Sequence, residues 1–388
     1  MNSINNSSAF TSEDITQFAT GSLEACFGEA YAIYRGRLSP RTPNGDLQLI
    51  SRVLGVDGTA GEFKTESKVV AEYDVPADAW FYAQNASASM PYSVLMEIAL
   101  QPCGFLSTYM GASLIYPDQD LKFRNLDANA TTLKDLDLRG QTITAEATLK
   151  TVASSAMTII LTFDFSLKLG AETFYQGNTV FGYFTAEQMS SQLGLDRGQT
   201  KLPWFKENKM PLKLAQNMPL STQAGQEAYF QGTPEKPHFR LSGERLNFLE
   251  NALVFGTGGE HDQGYVYAQK RVDAADWFFK YHFFEDPVMP GSLGVEAILQ
   301  SLKAYAIAQD LGQTFANPCF VNALGNVAWK YRGQIIGSDG LMTLETSIKS
   351  IEMIDGQLVV TADAYLSKDG LRIYRVTDVA IAIAEASR

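Results

Sequence analysis

Two long apolar segments stand out along the chain, and each is followed by segments in which apolar and polar positions alternate. Residues 93–110 and 292–311 are rich in Leu, Met and Ala and are apolar on nearly every side. This pattern is typical of a helix that other structure encloses. We expect Pro102 to kink or locally open the first helix, and Gly312 to end the second.

The alternating segments predict β-strands. They cover residues 141–152, 156–169 and 172–184 after the first helix, and 318–332, 341–353, 357–367 and 371–384 after the second. The dipeptide Asp369-Gly370 predicts a hairpin turn, and the segment 11–14 predicts the start of an N-terminal helix. One buried helix with several antiparallel strands, occurring twice, indicates an α+β fold.

The two halves of the chain repeat the same landmarks in the same order. Trp80 and Trp277 are 197 residues apart, while Glu97 and Glu296 are 199 apart. The run 47–50 matches 246–249, Gln101 matches Gln300, and the pairs Asp164/Asp363 and Tyr175/Tyr374 are again 199 apart. A period of this length indicates a duplicated domain rather than a solenoid.

The repeat divides the chain into two domains. We expect a first domain over residues 1–204 and a second over 244–388. Residues 205–243 are polar, contain Pro and Gln and show little periodicity, so they are expected to form a linker.

Composition and charge exclude several classes of function. The chain has 388 residues, of which 45% are hydrophobic, and a net charge of −12, which disfavours nucleic-acid binding. No apolar run is expected to approach the length of a membrane span, about 18 residues. The three cysteines lie far apart in apolar surroundings, so we expect a cytoplasmic protein with reduced thiols. No metal-ligand spacing and no phosphate-binding glycine loop is present, so no metal and no cofactor is expected.

The run 282–297 carries the strongest candidate chemistry. It begins with His282, one of three histidines, passes through a Pro/Gly turn to Gly291 and reaches Glu296 near the start of the second apolar helix. A base, a backbone N–H at a helix start and a proton donor are what proton removal beside a thioester carbonyl requires. The alternative interpretation is a core histidine beside a turn.

This run resembles the active-site segment of the β-hydroxydecanoyl-thioester dehydratases, in which a histidine and an acid fourteen residues later flank an Asp-Pro-Val-Met-Pro-Gly turn. Residues 75–80 and 91–104 resemble the dehydratase region of bacterial polyunsaturated fatty acid synthases, and that resemblance covers most of the chain. It implies two hotdog folds in tandem, each an antiparallel sheet wrapped around one long helix, side by side as a pseudo-dimer. It also implies that the chain is a piece of a larger synthase.

The resemblance also implies which residues form the site, because that family takes the histidine from one hotdog and the acid from the central helix of the other. It pairs His282 with Glu97 and makes the N–H of Gly291 the donor to the substrate carbonyl, with Glu296 as the alternative acid. The residues expected to support this site are Ser292, Val288, Gln101 and Gln300.

The first half offers no histidine to pair with Glu296. At the matching place it has Gln84, Asn85, Ala86 and Ser87, and it carries Tyr92 where the second half has Gly291. A side chain there occupies the place where a backbone must approach a carbonyl. We therefore expect one working site and one degenerate site per chain.

The expected function is dehydration of 3-hydroxyacyl thioesters on acyl carrier protein to trans-2-enoyl thioesters in polyunsaturated fatty acid synthesis, with or without isomerisation of the double bond. The alternatives are an acyl-thioester hydrolase and a non-catalytic pair that binds acyl chains or docks synthase domains. Expected partners are an acyl carrier protein with phosphopantetheine-linked chains, other synthase domains and a second copy of the chain as a homodimer. An acidic carrier would need a basic patch, for which the candidates are Lys330, Arg332, Arg35 and Arg37.

Overall fold

The structure, a computed structural model, describes residues 9–87 and 89–386. Its α-helices are α1 (Ser12–Thr20), α2 (Leu23–Phe27), α3 (Trp80–Gln84), α4 (Tyr92–Tyr109), α5 (Ala186–Ser190), α6 (Trp204–Glu207), α7 (Gln223–Phe230) and α8 (Gly291–Ala308). Its strands are β1 (Arg52–Asp57), β2 (Lys68–Asp74), β3 (Lys122–Thr132), β4 (Thr142–Ser155), β5 (Thr158–Leu169), β6 (Glu172–Phe184), β7 (Ala215–Met218), β8 (Asn251–Phe255), β9 (Tyr265–Arg271), β10 (Pro318–Asn322), β11 (Gly325–Tyr331), β12 (Leu341–Ile354), β13 (Gln357–Lys368) and β14 (Leu371–Glu385).

All of these strands belong to one antiparallel sheet. Its order is β1-β2-β4-β5-β6-β3-β11-β14-β13-β12-β9-β8-β7, and β10 pairs with β14 beside this path. The two halves of the chain meet where β3 pairs with β11, from Gly325 opposite Thr132 to Lys330 opposite Asp127. The predicted pair of hotdogs therefore shares one continuous sheet.

Each half of the sheet wraps around one long helix. In β4 every second residue from Ile143 to Leu149 is buried, and this face packs on α4. The second helix, α8, packs in the same way on β9, β12, β13 and β14, and α4 and α8 contact each other. Because the sheet encloses both helices, each is buried on nearly all sides, as the apolar segments predict.

The duplication extends to irregular details of the backbone. The register between β4 and β5 shifts between Leu149 and Thr151, and the register between β12 and β13 shifts 199 residues later, between Ile348 and Ser350. The indole N–H of Trp80 bonds to the carbonyl of Asp46. The indole N–H of Trp277 bonds to the carbonyl of Arg245, and Arg245 follows Asp46 by 199 residues. A bulge retained at equivalent positions marks two copies of one fold.

The predicted elements are largely confirmed, with differences in both central helices and in one strand. The helix α4 continues through Pro102, and α8 ends at Ala308, before Asp310 adopts a positive φ of 48° and well before Gly312. The predicted strand 318–332 is two strands, because β10 and β11 pair with separate stretches of β14 and Gly325 lies between them at a φ of 125°.

Residues 205–243, expected to be a linker, are ordered and carry secondary structure. The strand β7 pairs with β8 at the edge of the sheet, and α7 lies in the same connection. Phe230, Phe239 and Leu241 are buried in the main core, so this connection packs on the folded halves. The division of the chain at 204 and 244 stays a prediction.

One helical segment corrects the expectation that no apolar run has the length of a membrane span. Within the described part of the chain, Tyr92–Ile115 is long and apolar enough to cross a membrane, and 72% of its apolar window is buried inside the protein. Few polar residues are needed along a helix that a sheet surrounds, which accounts for this composition.

Candidate active site

His282 lies in the loop between β9 and α8, and its side chain is buried. Its Nδ1 lies 2.9 Å from the carbonyl oxygen of Val288. Because a carbonyl oxygen only accepts hydrogen bonds, Nδ1 carries the proton and Nε2 keeps its lone pair. Burial lowers the pKa of His282 below its usual value, against the smaller opposing effect of the negative charge of Glu97. The imidazole is therefore neutral at neutral pH, as a general base must be.

The loop that carries His282 is anchored to the other half of the molecule. The carboxylate of Asp286 forms ion pairs with Lys122 at 2.6 Å and Arg124 at 2.8 Å, both from β3. Burial raises the pKa of Asp286, but the charges and hydrogen bonds of these two residues outweigh it and hold the pKa below its usual value. Asp286 therefore acts as an ionised anchor of this loop.

Gly291 is the first residue of α8, and its N–H belongs to the helix-terminal donors that have no acceptor within the helix. The helix dipole favours negative charge at the same place. A Cβ atom on Gly291 would lie 2.5 Å from Cε2 of Tyr331, so no larger residue fits without moving that ring. A glycine is required here by the close approach of Tyr331.

Glu97 lies on α4, and its buried carboxylate faces the start of α8. The hydroxyl of Ser292 donates to Oε1 at 2.6 Å, and Nε2 of Gln101 donates to Oε2 at 3.0 Å. Gln101 is itself fixed, because its Oε1 accepts from the N–H of Leu49 at 3.0 Å. These contacts hold the carboxylate of the first half against the second half.

His282, Glu97 and Gly291 line one cavity of about 100 Å³. The other lining residues are mostly apolar, and they include Leu100, Gly104, Phe123, Phe181, Val288, Met289 and Tyr374. A base, a carboxyl group and helix-terminal N–H donors thus surround a space that also has apolar walls for a hydrocarbon chain.

A second cavity, of about 40 Å³, occupies the equivalent place in the other half and is lined by Asn85, Tyr92, Glu296 and Lys303. The hydroxyl of Ser93 donates to Glu296 at 3.0 Å, which mirrors the bond from Ser292 to Glu97.

Two substitutions on the central helices distinguish the second cavity from the first. Lys303, which stands where the first half has Gly104, lies 3.8 Å from the carboxylate of Glu296, and both side chains are buried. Tyr92 fills the position of Gly291. Lys303 thus places a positive charge beside this acid, and the helix begins with a phenol side chain where the other half has a glycine.

The structure singles out Asn85 as the residue at the histidine position. Its Nδ2 donates to the carbonyl oxygen of Ser89 at 2.9 Å. Ser89 is the counterpart of Val288, whose carbonyl accepts from His282. The neighbours expected as alternatives are engaged elsewhere: Gln84 bonds to Glu244, and Ser87 bonds to the carbonyl of Phe320.

Of the residues expected to support the site, Ser292 and Gln101 contact Glu97. Val288 contacts His282. Gln300 does not reach the first cavity. Oε1 of Gln300 accepts from the N–H of Phe248 at 2.7 Å, and its Nε2 lies near Asn247 and Ser242. Three side chains that sequence reasoning missed are Arg124, Tyr331 and Lys303. The last of these was detectable, because it stands 199 residues after Gly104.

Three of the four candidates for the basic patch lie beside a carboxylate. Arg35 is paired with Glu24 at 2.5 Å, Arg37 with Asp120 at 2.9 Å, and Arg332 with Asp127 at 2.9 Å. Each of these arginines is at least partly exposed, with a carboxylate beside it. Lys330, the fourth candidate for the patch, is exposed and has no such partner among the described residues. The sequence does not show these pairings, and the basic patch stays a prediction.

One group of potential metal ligands lies outside both cavities. Glu260, His261 and Asp363 bring ligand atoms within 4.8 Å of one another in the described part of the chain. Nε2 of His261 lies 3.0 Å from Asp363, whose other oxygen accepts from the N–H of Asp378 at 3.0 Å. The ring nitrogen of His261 and both carboxylate oxygens of Asp363 thus already have protein partners.

Comparison with known proteins gives matches over most of the chain. Residues 241–377 match the FabA-like domain family. A polyunsaturated fatty acid synthase polypeptide of Thraustochytrium sp. is 36% identical over 383 residues, which is 96% of this chain and 26% of that protein. The chain thus spans about a quarter of the length of this relative.

Solved structures also resemble the chain. The dehydratase domain from the CurF module of curacin polyketide synthase aligns with a TM-score of 0.47 at 12% identity, covering 88% of this chain and all of that one. The 12:0-ACP thioesterase from Umbellularia californica aligns with a TM-score of 0.44 at 10% identity, covering 82% and 94%. At these scores the similarities do not distinguish a dehydratase from a thioesterase.

Proposed function

We propose that this chain, whose residues 241–377 match the FabA-like domain family, removes water from 3-hydroxyacyl thioesters to give trans-2-enoyl thioesters. The observation that carries the proposal is a single cavity lined by His282 from one half, Glu97 from the other, and the first turn of α8. The relative named as part of a polyunsaturated fatty acid synthase supports a place in fatty acid synthesis.

His282 serves as the general base. Its Nε2 lone pair takes a proton from C2 of the substrate, and the hydrogen bond from Nδ1 to Val288 orients the ring and stabilises the imidazolium that forms. As the C2–H bond breaks, negative charge moves to the thioester oxygen. The N–H of Gly291 donates to that oxygen, a contribution of about 3–4 kcal/mol for one such donor in a transition state.

Glu97 serves as the general acid, a role that requires its carboxyl group to take up a proton before the hydroxyl group leaves. It gives its proton to the 3-hydroxyl group, the C3–O bond breaks, and water leaves as the C2–C3 double bond forms. Ser292 and Gln101 orient the carboxyl group for this transfer. The imidazolium then releases its proton to solvent and Glu97 takes one up from solvent, so both groups return to their starting states and the reaction balances.

Thioester hydrolysis is the rival reaction for this fold. It would require attack of water on the thioester carbonyl, for which a carboxylate alone can act as base. The cavity instead combines a neutral histidine with a carboxyl group on opposite halves, which suits the separate removal of a proton and a hydroxyl group. This arrangement also disfavours a purely structural or acyl-binding role.

The substrate is proposed to arrive on the phosphopantetheine arm of an acyl carrier protein. The chain itself is proposed to be a domain of a larger synthase in the cytoplasm. The support is that the matched relative is about four times longer than the segment that this chain covers. A homodimer of the chain stays a prediction.

The proposal is tested by incubating the protein with a 3-hydroxyacyl thioester and following formation of the enoyl thioester, with chromatography to separate trans-2 from isomerised products. The wild type should form the trans-2-enoyl thioester, and His282→Ala should lose it. The matched control is His238→Ala, since His238 is exposed. Release of free thiol, or equal turnover by wild type and His282→Ala, would overturn the proposal.

A further inference from the structure

The phenol hydroxyl of Tyr331 is a buried polar group that forms no hydrogen bond within the described part of the fold. Tyr331 ends β11 and is 5% exposed, and its hydroxyl has no hydrogen-bond partner within residues 9–87 and 89–386. A buried hydroxyl without a partner costs about 1–3 kcal/mol, so it is rarely retained for packing alone. Tyr331 lines the cavity that contains His282 and Glu97.

The ring of Tyr331 lies directly against the start of α8. A Cβ on Gly291 would be 2.9 Å from its Cζ and 3.2 Å from its hydroxyl oxygen. The hydroxyl is thus beside the N–H that is proposed to bind the thioester oxygen. Tyr374 packs on the other side, with the two ring centroids 4.3 Å apart, which fixes the orientation of the phenol.

In the first half, whose site is degenerate, the tyrosine lies on the helix instead of on the strand. Strand register places Tyr331 opposite Tyr374, and it places Thr132 opposite Tyr175 in the first half. The first half therefore has a tyrosine on the helix, Tyr92, and a threonine on the strand, whereas the second half has a glycine on the helix and a tyrosine on the strand.

The two phenols also differ in their partners. The hydroxyl of Tyr92 accepts from Tyr175 at 3.2 Å, so it is satisfied within the protein. The hydroxyl of Tyr331 is left without a protein partner, among the described residues, in the half whose cavity contains the histidine. An unsatisfied donor in this cavity indicates a hydrogen bond to substrate.

We propose that the hydroxyl of Tyr331 donates a hydrogen bond to the substrate thioester oxygen, as a second donor beside the N–H of Gly291. This inference rests on the proposed function, because it requires a thioester in the cavity. Burial, with smaller effects of Tyr374 and Glu97, raises the pKa of Tyr331 well above its usual value, so the group stays protonated and acts as a donor rather than a base.

The kinetic test removes only the hydroxyl. Tyr331→Phe should lower kcat for dehydration by about 10²-fold, as expected for loss of one donor to a developing oxyanion. Tyr92→Phe is the matched control, since it removes a buried phenol hydroxyl from the other cavity, and it should leave kcat unchanged. Equal kcat for Tyr331→Phe and wild type would overturn the inference.

A second measurement identifies the oxygen that Tyr331 contacts. Exchange of the C2 hydrogen of a saturated acyl thioester with D₂O requires no leaving group. Tyr331→Phe should slow this exchange by the same factor as dehydration. Dehydration slowed without slower exchange would assign Tyr331 to the 3-hydroxyl group and overturn the proposed contact.

A spectroscopic readout separates this inference from the proposed function. The carbonyl stretch of a ¹³C-labelled saturated acyl thioester should move to lower frequency on binding to the wild type, and by less on binding to Tyr331→Phe. If that difference appears in a protein that removes no water from hydroxyacyl thioesters, the dehydratase proposal fails and the tyrosine contact stands. If the carbonyl shifts of wild type and Tyr331→Phe are equal in a protein that dehydrates, only the tyrosine contact fails. If the wild type binds no thioester, both proposals fail.

Discussion

Asn85 occupies in the first half the position that His282 occupies in the second. Each donates a hydrogen bond of 2.9 Å to a backbone carbonyl, Asn85 to Ser89 and His282 to Val288. The amide oxygen of Asn85 in turn accepts from Ser242 at 2.9 Å. The hydrogen bond that holds the loop is therefore retained, but an amide nitrogen has no lone pair with which to accept a proton.

Restoring a histidine at Asn85 should not create a second active site. The double variant His282→Ala, Asn85→His is expected to be as inactive as His282→Ala, because that cavity has Tyr92 in place of the helix-start glycine and a lysine, Lys303, beside Glu296. Dehydration of a 3-hydroxyacyl thioester measures the outcome. Recovery of turnover in the double variant would show that the base was the only missing part.

The pH dependence of the reaction should reflect the buried imidazole. The base must be neutral, so kcat/KM falls as the pH drops through the pKa of His282. Since burial lowers that pKa, the acid limb should have its midpoint below about 6.5, the value of an unperturbed histidine. A pH–rate profile of the wild type tests this, and a midpoint above that value would contradict it.

Gly291 should tolerate no larger residue. Gly291→Ala places a Cβ 2.5 Å from the ring of Tyr331, and the overpacking should cost about 1–3 kcal/mol of unfolding free energy and reduce kcat. Gly243→Ala is the control, because Gly243 has a negative φ and no atom within 4 Å of the added Cβ. Urea denaturation and turnover measure the two effects, and equal behaviour of the two variants would contradict the close approach.

The ion pairs of Asp286 should stabilise the contact between the two halves. Asp286→Asn leaves Arg124 and Lys122 without their carboxylate in a buried place, which should cost about 3 kcal/mol or more. Asp120→Asn breaks an exposed pair with Arg37 and should cost less than about 1 kcal/mol. Chemical denaturation of both variants checks the difference, and similar losses would show that Asp286 is not an anchor.

The sequence was sufficient for features that recur along it. The sequence predicted the first central helix to within one residue at each end and the start of the second equally well, because an enclosed helix is apolar on all sides. The hairpin turn at Asp369-Gly370 was predicted from its residue types. Asp369 and Gly370 adopt φ of 47° and 85°, the positive values that this kind of turn needs.

The sequence was insufficient where a residue's role depends on a partner from a distant part of the chain. Pairing of β3 with β11 joins the halves into one sheet, yet neither strand carries a signal of its neighbour. Arg332 looked like part of a docking surface and is instead paired with Asp127. Tyr331 lies beside Gly291 only because β11 folds against the start of α8.

The central claim is that one active site is built from the base of the second half and the acid of the first. Its most direct test is the pair Glu97→Gln and Glu296→Gln, each measured for kcat with a 3-hydroxyacyl thioester. Glu97→Gln should lose about 10²–10⁴-fold, the usual contribution of a general acid, and Glu296→Gln should stay close to wild type. Full activity in Glu97→Gln, or an equal loss in Glu296→Gln, would contradict the account.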